Sequence, residues 1–511
     1  MRPPSTSPGP RTRPRWFVTL FLTDMWERFS FFGMQAILIL FAVAPREEGG
    51  LGLPHSTAVA LYGAYVGLLL ALSMPGGWVG DRLLGEQRAT LYGGIVIAAG
   101  HYLMLVPAQV TAYFGLVAIA VGTGLLKPNM LALLGRFYGP RESERREAAL
   151  SLLYIGIQVS ALLAPLVTGF LGERVNWHLG FGVAGLGMTF GVVQYAVGMR
   201  HFGETGRAAS HPATARELRT VARRVAAVAA AAGVLLLADV LAGTFAVTHV
   251  IGVVGAATLV APFVYLAVLR RRSRLDRGEL RRLAAFRWVL LASALFWMFV
   301  IQAGSTLILF AREHVDREVG EVLVPASWFQ SAIPLFILVS APLIAWLWLR
   351  GGARLGVAAK IAMGHGLVGA GFLVMSGSAV AAAGGARVSP VWLLLVLFTL
   401  AVGEVVLGPT ALSAAVDLAP PAFTGRTMGL YWMFAAVGGG LGSMLGRLVS
   451  GEPRPWYYLA LAVLALVTAA AFALSRRRLD EVMRPAGSQG PTPPALSGVA
   501  GATAPSPERP S

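Results

Sequence analysis

Three ionisable residues lie close together in an otherwise apolar stretch near the N-terminus. The stretch FLTDMWERFSFFGMQAIL (21–38) holds Asp24, Glu27 and Arg28. A charged side chain at the centre of a membrane helix costs roughly 2.5–3.5 kcal/mol, so three of them need a reason. Their i, i+3 and i+4 spacing places them on one helix face, where a carboxylate can pair with the guanidinium and exchange its proton. We therefore predict a proton-coupling cluster, with a static ion pair between two helices as the alternative.

Two further charged residues stand alone in apolar stretches. Lys127, in GTGLLKPNM, shares its residue type only with Lys360, and a lysine at membrane depth can lose its proton or pair with a carboxylate. Glu404 lies midway along an apolar stretch that Pro409 interrupts, which favours a water-filled cavity. The alternatives are a structural lysine that bridges to the carboxylates of the first helix, and a buried, protonated glutamic acid. We predict that Lys127 and Glu404 belong to the proton-coupling group.

The composition indicates what must position these residues. The chain has 511 residues, of which 56% are hydrophobic and 13% charged, and its mean hydropathy is +0.66. A soluble protein of this length could not bury so much apolar surface, so the chain is predicted to cross a membrane many times. The absence of cysteine excludes disulfides and thiolate metal sites. The net charge of +17 is concentrated in loops, which indicates cytoplasmic loops rather than a nucleic-acid surface.

The apolar stretches predict an all-α polytopic membrane protein with about 14 transmembrane helices, because about 20 apolar residues span a bilayer. They are grouped as six, two and six, an arrangement typical of transporters with paired bundles. Basic loops predict that both termini are cytoplasmic. The predicted domains are a basic cytoplasmic tail (1–15), an N-terminal six-helix bundle (16–199), a linker with two extra helices (200–285), a C-terminal six-helix bundle (286–475) and a disordered cytoplasmic tail (476–511).

Several motifs resemble one transporter family. TDMWERFSFFGMQAIL is similar to the first-helix signature of the proton-dependent oligopeptide transporters, within the major facilitator superfamily, and GGWVGDRLLG, GTGLLKPN, NWHLGFGVAGLGM and GEVVLGPTALSAAVDLAP extend the match in order over about 16–450. The resemblance implies a bacterial member with the major facilitator fold. It also implies proton-coupled symport of di- and tripeptides by alternating access at the cytoplasmic membrane. Glu27, Arg28, Lys127 and Glu404 match the family, while Asp24 replaces a glutamate.

The departures from the family concern its peptide-binding positions. Gln35 stands where the family has an arginine that helps hold the peptide carboxylate, and Ile301 stands where it has a glutamate. This paired loss is predicted to leave Lys127 and Glu404 in balance within a more apolar pocket. A less charged, non-peptide solute with the same fold and proton coupling is therefore the alternative function. The residues implied as substrate-binding are Phe31, Phe32, Gln35, Tyr65, Leu70, Lys127, Gln158, Ile301, Ile333 and Glu404.

Other classes of function find little support in the sequence. The histidines are scattered, and neither a His-Glu-x-x-His nor a Gly-x-Ser-x-Gly motif occurs, so the chain is not expected to be an enzyme or to hold a metal or cofactor. A receptor would be expected to carry a sensing or signalling domain, for which both tails are too short. The expected partners are protons, a small solute such as a short peptide, and the lipid bilayer, without nucleic acid. Asp239, in the extra helix pair, is expected to have a packing role.

Overall fold

Helices dominate the fold because backbone polar groups in lipid must be satisfied within their own segment. The computed structural model describes residues 14–139, 142–272, 275–350, 355–419, 427–446, 454–477 and 479. Its α-helices are α1 (Arg15–Val43), α2 (His55–Val79), α3 (Glu86–Leu105), α4 (Gln109–Arg136), α5 (Ser143–Arg174), α6 (Trp177–Gly198), α7 (Ala215–Leu241), α8 (Val247–Arg272), α9 (Arg277–Ala303), α10 (Thr306–His314), α11 (Ala332–Arg350), α12 (Val357–Ala382), α13 (Pro390–Leu418), α14 (Thr427–Gly446) and α15 (Pro455–Leu474).

Short elements occupy some of the connections. Strands β1 (Glu318–Val319) and β2 (Val322–Leu323) form an antiparallel hairpin, and 3-10 helices cover Arg46–Glu48, Met199–His201 and Ala326–Ser331. We call the end of the molecule that carries this hairpin the hairpin end. We call the opposite end, with the loops after α2, α4 and α6, the basic end.

The predicted number of membrane spans is confirmed. Among the described residues, twelve segments are long and apolar enough to cross a membrane, and α9 with α10 forms one of them. The remaining two long helices, α3 and α14, are less apolar and pack against α4 and α2 respectively. Together they give the 14 spans and the all-α, two-bundle architecture expected from the sequence.

Two bundles and an additional helix pair can be distinguished by their contacts. In the first bundle α1 packs on α5 and α6, and α3 on α4; in the second α12 packs on α13 and α15, and α14 on α9. The bundles meet where α2 contacts α14 and where α5 contacts α11. Helix α8 lies against both α2 and α14, whereas α7 has no buried residue. The extra pair therefore lies outside the interface that the two bundles enclose.

One boundary differs from the sequence-based prediction. The helix that opens the second bundle begins at Arg277 instead of near residue 286, because Asp276 and Glu279 form a capping box. The Glu279 N–H donates to Asp276 Oδ1 over 2.7 Å, and the Asp276 N–H donates to Glu279 Oε2 over 2.9 Å. The predicted tails lie outside the described residues except for residues 14, 15, 476, 477 and 479.

Close contact between α2 and α4 fixes the position of Lys127 along the axis of the bundle. A Cβ on Gly76 would lie 2.0 Å from the Gly124 carbonyl oxygen, so the two backbones touch only because both residues are glycines. A Cβ on Gly80 would lie 1.7 Å from Asn129 Oδ1. The Asn129 side chain donates to the Gly76 carbonyl over 2.9 Å. These contacts hold residues 127–129 of α4 against α2.

Candidate functional site: an ion-pair cluster and an isolated carboxylate

Four charged side chains meet between α1 and α4. Lys127 Nζ lies 2.5 Å from Asp24 Oδ1 and 3.7 Å from Glu27 Oε2. Arg28 contacts Glu27 through two nitrogens, with Nε 2.6 Å from Oε2 and a terminal nitrogen 2.5 Å from Oε1. The structure thus brings together the three residues that helical spacing placed on one face and Lys127, which was expected to pair with a carboxylate, and each cation lies against at least one carboxylate. Their role in proton coupling stays a prediction.

Burial in this cluster is unequal. Asp24 and Glu27 are 2% and 0% exposed, whereas the side chains of Arg28 and Lys127 are 12% and 21% exposed. The two carboxylates are therefore separated from water by their cationic partners. Removing the partner of a buried carboxylate strongly destabilises a folded protein, so the two cations are needed to keep these acids charged in the interior.

Hydrogen bonds from α5 fix the position of α1. Ser160 donates to the Met25 carbonyl over 2.8 Å, next to Asp24, and Thr168 donates to the Gly33 carbonyl over 2.9 Å. A Cβ on Gly33 would lie 2.6 Å from the Thr168 methyl group, so the two helices approach closely at this glycine. The acidic residues of α1 are thereby held rigidly towards α4.

Phe31 and Phe32 enclose the guanidinium of Arg28. The Arg28 Cζ atom lies 4.6 Å from the Phe31 ring centroid and 5.9 Å from that of Phe32. A guanidinium over an aromatic ring gains a cation–π attraction, which increases when water is excluded. Phe31 and Phe32 are both partly exposed. Arg28 is therefore held by Glu27 on one side and by aromatic rings on the other.

Glu404 stands apart from this cluster. It is partly exposed in the middle of α13, and its electrostatic neighbours include Tyr154 on α5 and Tyr431 on α14. Because α5 and α13 belong to different bundles, the carboxylate faces the space between them. No cationic side chain in the described part of the chain pairs with it. Lys127 pairs with Asp24 and Glu27, so the predicted charge balance between Lys127 and Glu404 does not involve a direct contact and stays a prediction.

An aromatic cluster near Glu404 was not predicted from the sequence. Trp297 of α9 and Trp432 of α14 have ring centroids 5.8 Å apart, and Tyr431 lies 5.4 Å from Trp432. Tyr431 also interacts with Trp297 and, electrostatically, with Glu404. Both tryptophans are partly exposed. These side chains come from separate helices, and scattered aromatic residues in apolar helices carry no signal that could have grouped them.

The remaining residues implied as substrate-binding differ in exposure. Gln35, Leu70 and Ile333 are partly exposed, while Tyr65, Gln158 and Ile301 are 4%, 6% and 6% exposed. The Tyr65 hydroxyl is buried without a hydrogen-bond partner, in the electrostatic field of Glu27 and Arg28. That unpaired hydroxyl marks a polar position beside the ion-pair cluster.

Gln35 belongs to a contact between the bundles. Its side chain interacts with the hydroxyl of Tyr62 on α2. A Cβ on Gly304 would lie 1.8 Å from that hydroxyl oxygen, so Tyr62 fits against the glycine at the break between α9 and α10. Gln35 is therefore linked through Tyr62 to the segment that follows Ile301.

Direct contacts close the hairpin end between the two bundles. Glu173 at the end of α5 accepts hydrogen bonds from the N–H groups of Ala326 and Ser327, over 2.9 and 2.8 Å. His55 Nε2 lies 2.5 Å from Glu313 Oε1. Trp328 Nε1 donates to the Leu166 carbonyl over 3.1 Å, and Ser331 to the Leu162 carbonyl over 2.7 Å. The molecule is thus in a conformation that is closed at the hairpin end.

The extra pair has its own polar contact, away from this interface. Asp239 Oδ1 accepts a hydrogen bond from Thr244 over 2.6 Å, and His249 Nδ1 lies 2.8 Å from Asp239 Oδ2. These residues join the end of α7 to the start of α8. Asp239 therefore holds the turn of the helix hairpin, which is consistent with the expected packing role.

Comparisons with known proteins agree on one group. A family model described as the POT family matches residues 87–455. A peptide transporter of Yersinia enterocolitica is 34% identical, over 88% of this chain and 92% of that protein. A di-/tripeptide transporter of Lactococcus lactis subsp. cremoris is 29% identical, over 92% and 97%. A solved structure of a peptide transporter in complex with sulfate has a TM-score of 0.88 and 35% identity, over 93% of this chain and 97% of that one.

Proposed function

Because this chain belongs to the POT family, we propose that it is a proton-coupled symporter that carries di- and tripeptides across the cytoplasmic membrane by alternating access. Relatives from Yersinia and Lactococcus, whose names describe them as peptide and di-/tripeptide transporters, support this substrate class. The chain is accordingly a transporter and not an enzyme. Its partners are protons, a peptide or peptide analogue, and the surrounding lipid.

One observation carries the coupling part of the proposal. Lys127 Nζ lies between two buried carboxylates, 2.5 Å from Asp24 and 3.7 Å from Glu27. A proton on either acid removes the charge that holds its cation, which frees Lys127 or Arg28 to move or to meet a solute. Proton binding and the arrangement of α1 against α4 are therefore linked. A buried ion pair is the kind of two-state element through which such coupling acts.

The basic loops and the closed hairpin end together indicate which side of the membrane each end of the molecule faces. Arginines are abundant in and beside the connections that follow α2, α4, α6 and α8, and the positive-inside rule places such connections in the cytoplasm. The hairpin end, closed by Glu173 and by His55 with Glu313, would then face outwards. In this orientation both termini are cytoplasmic and the molecule is closed towards the outside of the cell.

The experiment is uptake by the purified full chain in proteoliposomes. Di- and tripeptides should accumulate inside when the interior is made alkaline, and much less without a pH gradient. Glu27→Gln should abolish this accumulation while exchange of labelled for unlabelled peptide continues. Glu142→Gln, which removes an exposed carboxylate at the basic end, is the matched control and should behave as the wild type. Peptide accumulation by the wild type that does not depend on the pH gradient would contradict proton coupling.

A further inference from the structure

Helix α7 stands apart from the two bundles. None of its described residues is buried, and Val228 and Leu235 are 71% and 69% exposed. The helix is also long and apolar enough to cross a membrane. Asp239 and His249 join it to α8 at the hairpin end, so the start of α7 and the end of α8 both lie at the basic end. In a membrane, most of the surface of α7 is therefore available to lipid.

A group of exposed arginines lies at the basic end of this helix pair. Arg216, Arg219 and Arg223 share one face of α7, because their spacing is i, i+3 and i+7. Val225, which is 63% exposed, follows directly, so the arginines border the apolar part of the helix. Together with three further exposed arginines they form what we call the α7–α8 arginine group: Arg216, Arg219, Arg223, Arg224, Arg270 and Arg271.

The ion pairs at the basic end do not involve this group. Glu217 is the one acidic residue in the first half of α7; it accepts a hydrogen bond from the Thr214 N–H over 3.0 Å and lies 3.8 Å from Arg82. Arg223 Nε donates to the Arg219 carbonyl over 3.3 Å, which uses neither of its terminal nitrogens. The other ion pairs that described residues form at this end are Arg136 with Glu86, Arg145 with Glu142 and Arg207 with Glu204. Among the described residues, no carboxylate therefore pairs with the α7–α8 arginine group.

Charge and position both favour an anionic phospholipid as the partner of this group. The phosphate of a lipid lies where a membrane helix becomes polar, and basic residues at that level attract anionic lipids. A zwitterionic lipid would bring a second cation among the arginines. A second copy of the chain with α7 packed on α7 would place both arginine groups at the same level of the membrane, where like charges repel.

We propose that the start of α7 and the end of α8 form a binding site for anionic phospholipids such as phosphatidylglycerol, in the leaflet at the basic end. The arginines bind the lipid phosphate through charge-assisted hydrogen bonds, for which the planar guanidinium is well suited. The acyl chains lie along neighbouring exposed side chains, Val225 and Val228 of α7 and Val264 and Val268 of α8. The site is separate from the ion-pair cluster and does not depend on which solute is carried.

The test measures which lipid the purified full chain retains in detergent. The protein is incubated with equimolar phosphatidylglycerol and phosphatidylcholine that have identical acyl chains, and the bound lipids are counted by native mass spectrometry. Phosphatidylglycerol should be bound in at least fivefold excess, and added glycerol 3-phosphate should not displace it. A smaller preference overturns the proposal. Displacement by glycerol 3-phosphate also overturns it, because the site would then bind soluble anions.

Substitutions in α7 assign the preference to the arginine group. Arg219→Gln with Arg223→Gln should reduce the excess of phosphatidylglycerol at least threefold, whereas Arg219→Lys with Arg223→Lys should retain most of it because both charges remain. Thermal unfolding in detergent checks that each variant is folded.

The matched control is Arg145→Gln with Arg207→Gln, which removes two exposed arginines at the same end that already have carboxylate partners. The control should keep the wild-type preference, and an equal loss there would overturn the assignment to α7. A dimer in the wild-type spectra that Arg219→Gln with Arg223→Gln lacks would also overturn it, because the surface would then bind a second copy.

Discussion

Replacement of Lys127 by methionine is the sharpest perturbation of the ion-pair cluster. It keeps an unbranched apolar side chain and removes the ammonium group that lies 2.5 Å from Asp24, a residue that is 2% exposed. Removing one partner of a buried ion pair typically costs 3–5 kcal/mol. Since the Lys127 side chain is 21% exposed, we take the lower end of the range, about 3 kcal/mol. That free energy corresponds to about a hundredfold change in the ratio of folded to unfolded protein.

A second substitution tests whether the stability lost in Lys127→Met arises from the unpaired charge of Asp24. Asp24→Asn combined with Lys127→Met removes both charges, so the double variant should recover more than half of the lost stability. Lowering the pH should also recover part of the stability of Lys127→Met, because a proton then neutralises the unpaired acid. The measurement is thermal unfolding in detergent at two pH values. Gradient-driven accumulation should be absent in both variants.

The chain provides a matched control in its other lysine. Lys360 lies over the Trp348 ring, 4.8 Å from its centroid, at the basic end of α12. Lys360→Met should leave both stability and gradient-driven uptake close to those of the wild type. The reasoning would be refuted if Lys127→Met were as stable as Lys360→Met and if the added Asp24→Asn substitution gave no recovery.

Three further outcomes follow from other contacts. Gly80→Ala should lower uptake and cost about 1–3 kcal/mol of stability, measured by uptake and thermal unfolding, because its Cβ would collide with the Asn129 side chain. Glu173→Gln should weaken the closure of the hairpin end. Because the chain has no cysteine, a single cysteine introduced between the two bundles can report this change, and it should react faster with a thiol reagent added from outside. Gln35→Arg combined with Ile301→Glu should raise dialanine uptake more than either change alone, because each single change adds a charge without its partner. A larger effect of one single variant would contradict the pairing of these two charges.

The sequence was sufficient to predict that Asp24, Glu27, Arg28 and Lys127 meet, because charges of opposite sign buried in neighbouring apolar helices favour pairing. It was not sufficient to predict which partner each one takes. Arg28 contacts the adjacent Glu27, and Lys127 contacts Asp24 more closely than Glu27. These choices depend on how α1 and α4 are placed in the bundle, and each is held by another helix: α1 by α5 at Gly33 and Thr168, and α4 by α2 at Gly76 and Gly124.

Other features depend on contacts that leave no pattern in the sequence. The closure by Glu173 uses backbone N–H groups as donors, and any residue except proline supplies one. Trp297 and Trp432 come together from α9 and α14, which are far apart in the chain. The first helix of the second bundle is longer than predicted, because the arginines after residue 276 favour a loop in a hydropathy pattern, although a capping box starts the helix there.

The position of α8 has a mechanical consequence. This helix touches α2 of one bundle and α14 of the other, so tilting the bundles relative to each other must shear at least one of the two contacts. At the crossing, a Cβ on Gly67 or Gly440 would lie 3.1 or 3.2 Å from the Thr258 hydroxyl. Such smooth surfaces of small residues let helices approach and slide with little interlocking. Because α7 is long and apolar enough to cross a membrane and has no buried residue, we expect it to lie against lipid, so that the thickness of the bilayer also influences how easily the two bundles tilt.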